Sequence, residues 1–165
     1  MSSQKNLSSF DLSSVPNAAK MRIGIVVSEW NREITEKLFE SGYETLIACG
    51  CKKDNIIRKN VPGSFELPAG AMFFAEYEDV DAVICLGCVI QGETRHFEFI
   101  CQAVSQGLMD LSIKFGMPFI FGVLTTDNLQ QAKERSGGNH GNKGIEAAIV
   151  AIRMIALQYE FEERK

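Results

Sequence analysis

The chain has 165 residues, of which 45% are hydrophobic, with a formal net charge of −4 and a pI near 5.3. That is enough apolar material for one domain to bury a core without disulfide or metal staples. The acidic balance and the absence of a polybasic block speak against nucleic acid and anionic membranes as partners, so any phosphate must be held by a few placed groups.

Residues 1–20 are Ser-rich, carry Pro16 and lack sustained periodicity. They read as an N-terminal arm, either mobile or an edge strand in need of a partner, with the folded domain over 21–165. The arm has no long apolar segment of the signal-peptide kind, and no run approaches the roughly 18 apolar residues of a membrane span, so the expected location is cytoplasmic.

RIGIVVS (22–28) suits a buried strand, and Ile34, Leu38, Tyr43, Leu46 and Ile47 follow at roughly helical spacing up to Gly50. The cycle then repeats. IIRKNV (56–61) leads past a Pro-Gly turn to a helix ending about Tyr77. DAVICLGCVI (81–90) leads to a helix over His96–Phe115, and PFIFGVLTT (118–126) to one beginning near Asp127. A last helix is expected over Asn142–Tyr159, with Ile145, Ala148, Ile149, Ile152 and Ile155 on its apolar side. Four strand-helix cycles imply a three-layer α/β/α sandwich on a four-stranded parallel sheet, because parallel neighbours need crossovers that cover both faces.

Such a fold takes ligands beyond the carboxyl ends of its strands, where strand order reverses. SEWN (28–31), VPGSFE (61–66), VIQGETRHFE (89–98) and TTDN (125–128) all fall on that edge. Together they bring an indole, a phenyl ring, a carboxylate, a glycine turn and a histidine, which suits a flat polar aromatic ligand. Each residue also has an ordinary reading. Trp30 and Phe65 could be packing residues, Glu66 could complement the positive start of the second helix, and Thr94 could be a helix cap. Gly92 permits an unusual turn before a helix whose first amides lack partners, which can cradle phosphate. His96 falls in that helix's first turn, where the macrodipole disfavours imidazolium and leaves a ring able to accept a proton.

A second phosphate element is RSGGNHGNKG (135–144), with Arg135 at its entrance as a bidentate fork and Lys143 near its exit as a point charge. The alternative is a flexible connection with solvated charges. His140 within it has no partner pattern, and no full Walker motif is present. The five cysteines are odd in number and lack a framework spacing, as expected of reduced thiols. Cys85 and Cys88 look like a redox or metal pair, but in a strand residues three apart face opposite ways, so both are expected to pack in the core.

VPGSFELP, GCVIQGETRHFEFI, FGVLTTDN and GNKG, in this order and spacing between about Met21 and Tyr159, resemble the lumazine synthase family. The resemblance implies a flavodoxin-like fold and a riboflavin-pathway transferase that condenses 5-amino-6-(D-ribitylamino)uracil with 3,4-dihydroxy-2-butanone 4-phosphate. The products are 6,7-dimethyl-8-ribityllumazine, phosphate and water, and no metal or redox cofactor is implied. By matching positions the pyrimidine would be held by Trp30, Ser64, Phe65, Glu66, Cys88, Val89 and Ile90, and by Phe121 of a neighbouring subunit. Glu93 and Thr94 would hold the butanone phosphate, with Arg135 of that neighbour on the phosphate, Lys143 in support and His96 transferring protons. The resemblance also implies homopentamers or sixty-subunit shells, and riboflavin and riboflavin synthase as further partners. Trp30, Gln91 and Glu146 depart from the family's usual phenylalanine, basic residue and aspartate. A flavin- or pterin-binding module without catalysis, or a cage subunit, would use the same fold, and formation of product separates them.

Overall fold

The protein was analysed as a computed structural model that describes Asn6 and residues 8–163. Residues 1–5 and 7 of the expected arm, and 164–165, lie outside the described residues. Four parallel strands, β1 (Ile23–Ser28), β2 (Ile56–Val61), β3 (Ala82–Ile90) and β4 (Phe119–Thr126), form one sheet in the order β2-β1-β3-β4. Helices α1 (Arg32–Ala48), α2 (Leu67–Tyr77), α3 (His96–Phe115), α4 (Leu129–Glu134) and α5 (Lys143–Glu162) complete the α/β/α sandwich. None of the described helices is long and apolar enough to cross a membrane.

Two cores result, one on each face of the sheet. Ile25, Val27, Ile84 and Leu86 meet α1 and α5 through Ile34, Leu38, Ile152 and Ile155, while Val26, Val83 and Cys85 meet α2 and α3 through Leu67, Phe74, Val104 and Leu108. The alternation along β3 sends Cys85 to the second core and Cys88 to the first, so the pair is split across the sheet as period-two geometry requires. Every residue of β1 is buried, as a central parallel strand demands.

Three local features differ from the expected pattern. The buried stripe of α1 runs through Gly42 and Thr45 as well as Leu38 and Leu46, while Tyr43 and Ile47 are only half-buried. The cause is the crossing of α1 and α5: a Cβ on Gly144 would overlap the Leu38 carbonyl oxygen, and one on Gly42 would lie 3.0 Å from the Gly144 carbonyl oxygen. Asn142 caps α5, its Oδ1 accepting from the Gly144 amide at 2.8 Å, and its Nδ2 donates to Ser41 Oγ of α1 at 3.0 Å. Second, packing begins before Met21. Ala18 is fully buried and its amide donates to the Cys49 carbonyl at 2.9 Å. Third, the glycine-rich connection closes as a small antiparallel hairpin, β5 (Ser136–Gly138) and β6 (Gly141–Asn142).

Candidate active site

The chain leaves β1 toward β2 on one side and returns through β3 to β4 on the other, so a crevice opens at the carboxyl ends of β1 and β3. The turn after β1 is tied to the loop after β2 by two backbone bonds, Glu29 N–H to the Val61 carbonyl at 2.9 Å and Trp30 N–H to the Pro62 carbonyl at 3.2 Å. Asn31 then adopts a left-handed conformation, φ 57° and ψ 44°, which asparagine tolerates better than most residues. From there its Nδ2 donates to the Cys88 carbonyl at 2.9 Å, joining the two sides of the switch point.

After β2, Gly63–Glu66 make a tight 3₁₀ turn into α2. The Gly63 amide donates to Glu66 Oε2 at 3.0 Å, so the carboxylate does take the helix-start role that the sequence allowed, while its side still borders the crevice. The turn leaves Ser64 buried and Phe65 57% exposed. Trp30 is 70% exposed, so two large rings stand open at the crevice at a cost in exposed apolar surface that a ligand would offset.

The crevice encloses about 680 Å³. Trp30, Ser64, Phe65, Glu66, Cys88, Val89, Ile90 and His96 all line it, which brings together eight of the residues singled out from the sequence. His96 is the first residue of α3 and exposed, and its amide donates to Thr94 Oγ1 at 3.4 Å, while the N-cap position of the helix is Arg95 rather than Thr94. Glu93 and Thr94 stand exposed in the segment joining β3 to α3, next to this lining and outside it. Burial in the core on the α1 and α5 side pushes the Cys88 thiol up to about 11, so it stays neutral at physiological pH.

Asn31, Phe99 and Ile100 also line the crevice and were missed by the sequence reading. Phe99 was within reach of it, since three positions after His96 on one helix is the same face. Asn31 was not, because its partner lies 57 residues away.

Phe121, Arg135 and Lys143 are not in this crevice. Phe121 sits five residues before the end of β4, on the order of 16 Å from the sheet's carboxyl edge at about 3.3 Å per residue. With Lys143 it lines a separate groove of about 860 Å³ between β4, α5 and the end of α3. The Arg135 guanidinium donates to the His140 carbonyl at 2.5 Å and pairs with Glu146 Oε1 at 2.8 Å. Lys143 Nζ lies 3.3 Å from Glu146 Oε2, so one carboxylate holds both cations of the glycine-rich hairpin.

The model of the 6,7-dimethyl-8-ribityllumazine synthase family matches residues 20–159. The protein of that name from Cytophaga hutchinsonii is 60% identical over 155 residues, covering 94% of this chain and 97% of its own. That from Parabacteroides distasonis is 54% identical over 151 residues, covering 92% and 94%. A third, from Flavobacterium johnsoniae, is 54% identical over 156 residues, covering 94% and 82%. With the crevice, the motif order and these matches agreeing over most of its length, the chain belongs to the 6,7-dimethyl-8-ribityllumazine synthase family, transferases of riboflavin biosynthesis.

Proposed function

We propose that the crevice at β1 and β3 is where this enzyme condenses 5-amino-6-(D-ribitylamino)uracil with 3,4-dihydroxy-2-butanone 4-phosphate. The observation that carries the assignment is the pair of open rings, Trp30 and Phe65, in one crevice with Glu66 and His96. The rings sandwich the pyrimidine, Ser64 and Glu66 accept or donate at its ribityl chain, and backbone groups of Cys88–Ile90 bond its edge. Glu93 and Thr94 receive the butanone phosphate. The uracil amine adds to the ketone and water leaves, phosphate is eliminated, and the second amine closes the ring with loss of another water. His96 moves protons in these steps, for which one placed acid or base adds about 10²–10⁴-fold, while alignment of two substrates contributes more. Purified protein given both substrates should form the fluorescent lumazine. No product from correctly folded protein would remove the assignment.

The site is completed by a second subunit in this reading, with Phe121, Arg135 and Lys143 offered to a neighbour's crevice. Their position away from their own crevice supports it, as does the apolar groove beside Phe121, flanked by half-exposed Val150, Met154, Leu157 and Phe161. A homopentamer meets this need, and a sixty-subunit shell is twelve such rings. The cytoplasm is the compartment that suits the five free thiols. Riboflavin is a further ligand through Trp30, and riboflavin synthase, which would consume the product, a further partner.

A further inference from the structure

The hairpin that carries Arg135 and Lys143 is gripped from outside by the N-terminal arm, and the grip is a built one. Ser8 is buried and accepts a hydrogen bond from the Asn142 amide at 2.6 Å. Its hydroxyl proton has two acceptors within reach, the Asn142 carbonyl at 3.0 Å and Glu146 Oε1 at 3.2 Å. The hairpin is shaped to receive it. Gly141 has φ +86°, and any Cβ there would overlap Ser8 Oγ and Asn6 Oδ1, so the loop's glycine serves both the turn and the arm.

Glu146 Oε1 is the oxygen that holds Arg135, and Oε2 the one that holds Lys143. A glutamate has three side-chain torsions, and each further restraint on the carboxylate narrows them. Ser8 Oγ lies within hydrogen-bond reach of the same Oε1, from a residue 138 positions away, and adds a third restraint on the setting of the carboxylate. We propose that Ser8 is a positioning residue for phosphate recognition, aiming the Arg135 guanidinium through Glu146. The inference rests on the reading of Arg135 as the phosphate-holding cation. Two cations tied to one carboxylate leave a net charge of +1, so the cluster is attractive to a phosphate only in the direction its geometry sets. The arm thereby belongs to the binding machinery, which its Ser-rich composition alone does not reveal.

The test uses the full chain in five variants, Ser8→Ala, Ser8→Thr, Arg135→Ala, Glu146→Gln and the Ser8→Ala, Glu146→Gln pair. The measurements are KM for each substrate, kcat, and the competitive inhibition constant for inorganic phosphate. Ser8→Ala should raise KM for the phosphorylated substrate and the phosphate constant together by about threefold to tenfold, the loss expected for one hydrogen bond acting at second hand. KM for the pyrimidine and kcat should change by less than twofold. Ser8→Thr, which keeps the hydroxyl, should restore both phosphate readouts, and Ser8→Ala should add nothing once Glu146 is Gln. Wild-type phosphate constants in Ser8→Ala, beside a weakened Arg135→Ala, would overturn the role of Ser8 and leave that of Arg135. Wild-type constants in Arg135→Ala would overturn both. A parallel rise in both substrates' KM in Ser8→Ala would reduce the arm to general stability.

Discussion

At the residue scale, Trp30 is a large ring left 70% exposed on a turn whose backbone is held at two points to the neighbouring loop. A rigid, open indole stacks on a tricyclic flavin with more overlap than a phenyl ring. Titration of riboflavin should therefore quench flavin emission, and Trp30→Ala should weaken binding by about tenfold, the value of a good aromatic contact of about 1–1.5 kcal/mol. Equal affinity in both proteins would place the flavin elsewhere. Trp30, Phe65 and His96 were legible in the sequence because each lies within six residues after a strand end, and strand ends in a parallel sheet share one edge. Glu146 as the holder of Arg135 and Lys143 was not, since its importance depends on a hairpin and an arm residue that no local pattern announces.

At the scale of elements, the boundaries of β2 and α3 fall where the apolar runs and the Gly116 stop place them, and α5 starts at Lys143, one residue after the asparagine of GNKG that caps it. The stripe of α1 was misread by one position because Gly42 carries no hydrophobicity, yet it marks the close approach to α5. Gly144→Ala tests this contact. Alanine gains about 1 kcal/mol of helix propensity, but its methyl would strike the Leu38 carbonyl, and overpacking a tight contact costs about 1–3 kcal/mol or more. The backbone oxygen cannot move by itself, so net destabilisation is expected, read as a lower unfolding midpoint at fixed protein concentration. A midpoint at or above that of the parent would show that the helices can part cheaply.

The same helix carries a pH-dependent tie. Arg58 of β2 donates to both carboxylate oxygens of Glu36 and lies 4.1 Å from the centre of the Phe39 ring. The hydrogen bond from Arg58 holds the Glu36 carboxyl below its ordinary value of 4.5. A carboxyl depressed in the folded state contributes stability that is present above the unfolded value and lost as the pH falls through the folded one. Arg58→Met, which keeps the contact with Phe39, should cost about 0.5–1 kcal/mol at neutral pH, given that both side chains are partly solvated. The gap should narrow as the pH falls from about 4.5. A constant gap across that window would assign the loss to packing.

At the scale of the whole molecule, Phe121, Arg135 and Lys143 lie away from the crevice of their own subunit, and the proposed shared site predicts that a neighbour is needed for activity. Multiples of 18.3 kDa put a pentamer near 90 kDa and a sixty-subunit shell near 1.1 MDa, and light scattering distinguishes them under closed symmetry. Mass alone does not show that sites are shared, but mixing does. Under the proposed sharing, Arg135→Ala would damage only the part given to a neighbour, and a Phe65→Ala, His96→Ala double variant only the crevice. In rings assembled at random from equal amounts, about a quarter of the contacts join an intact crevice to an intact Arg135, because each half is intact half the time. Co-refolded mixtures should then recover about a quarter of the parent's activity at limiting butanone phosphate, well above the mean of the two variants assayed apart. Chains that carried complete sites would give only that mean whatever ring they formed, and a fully active species of one-subunit mass would be equally decisive against the shared site.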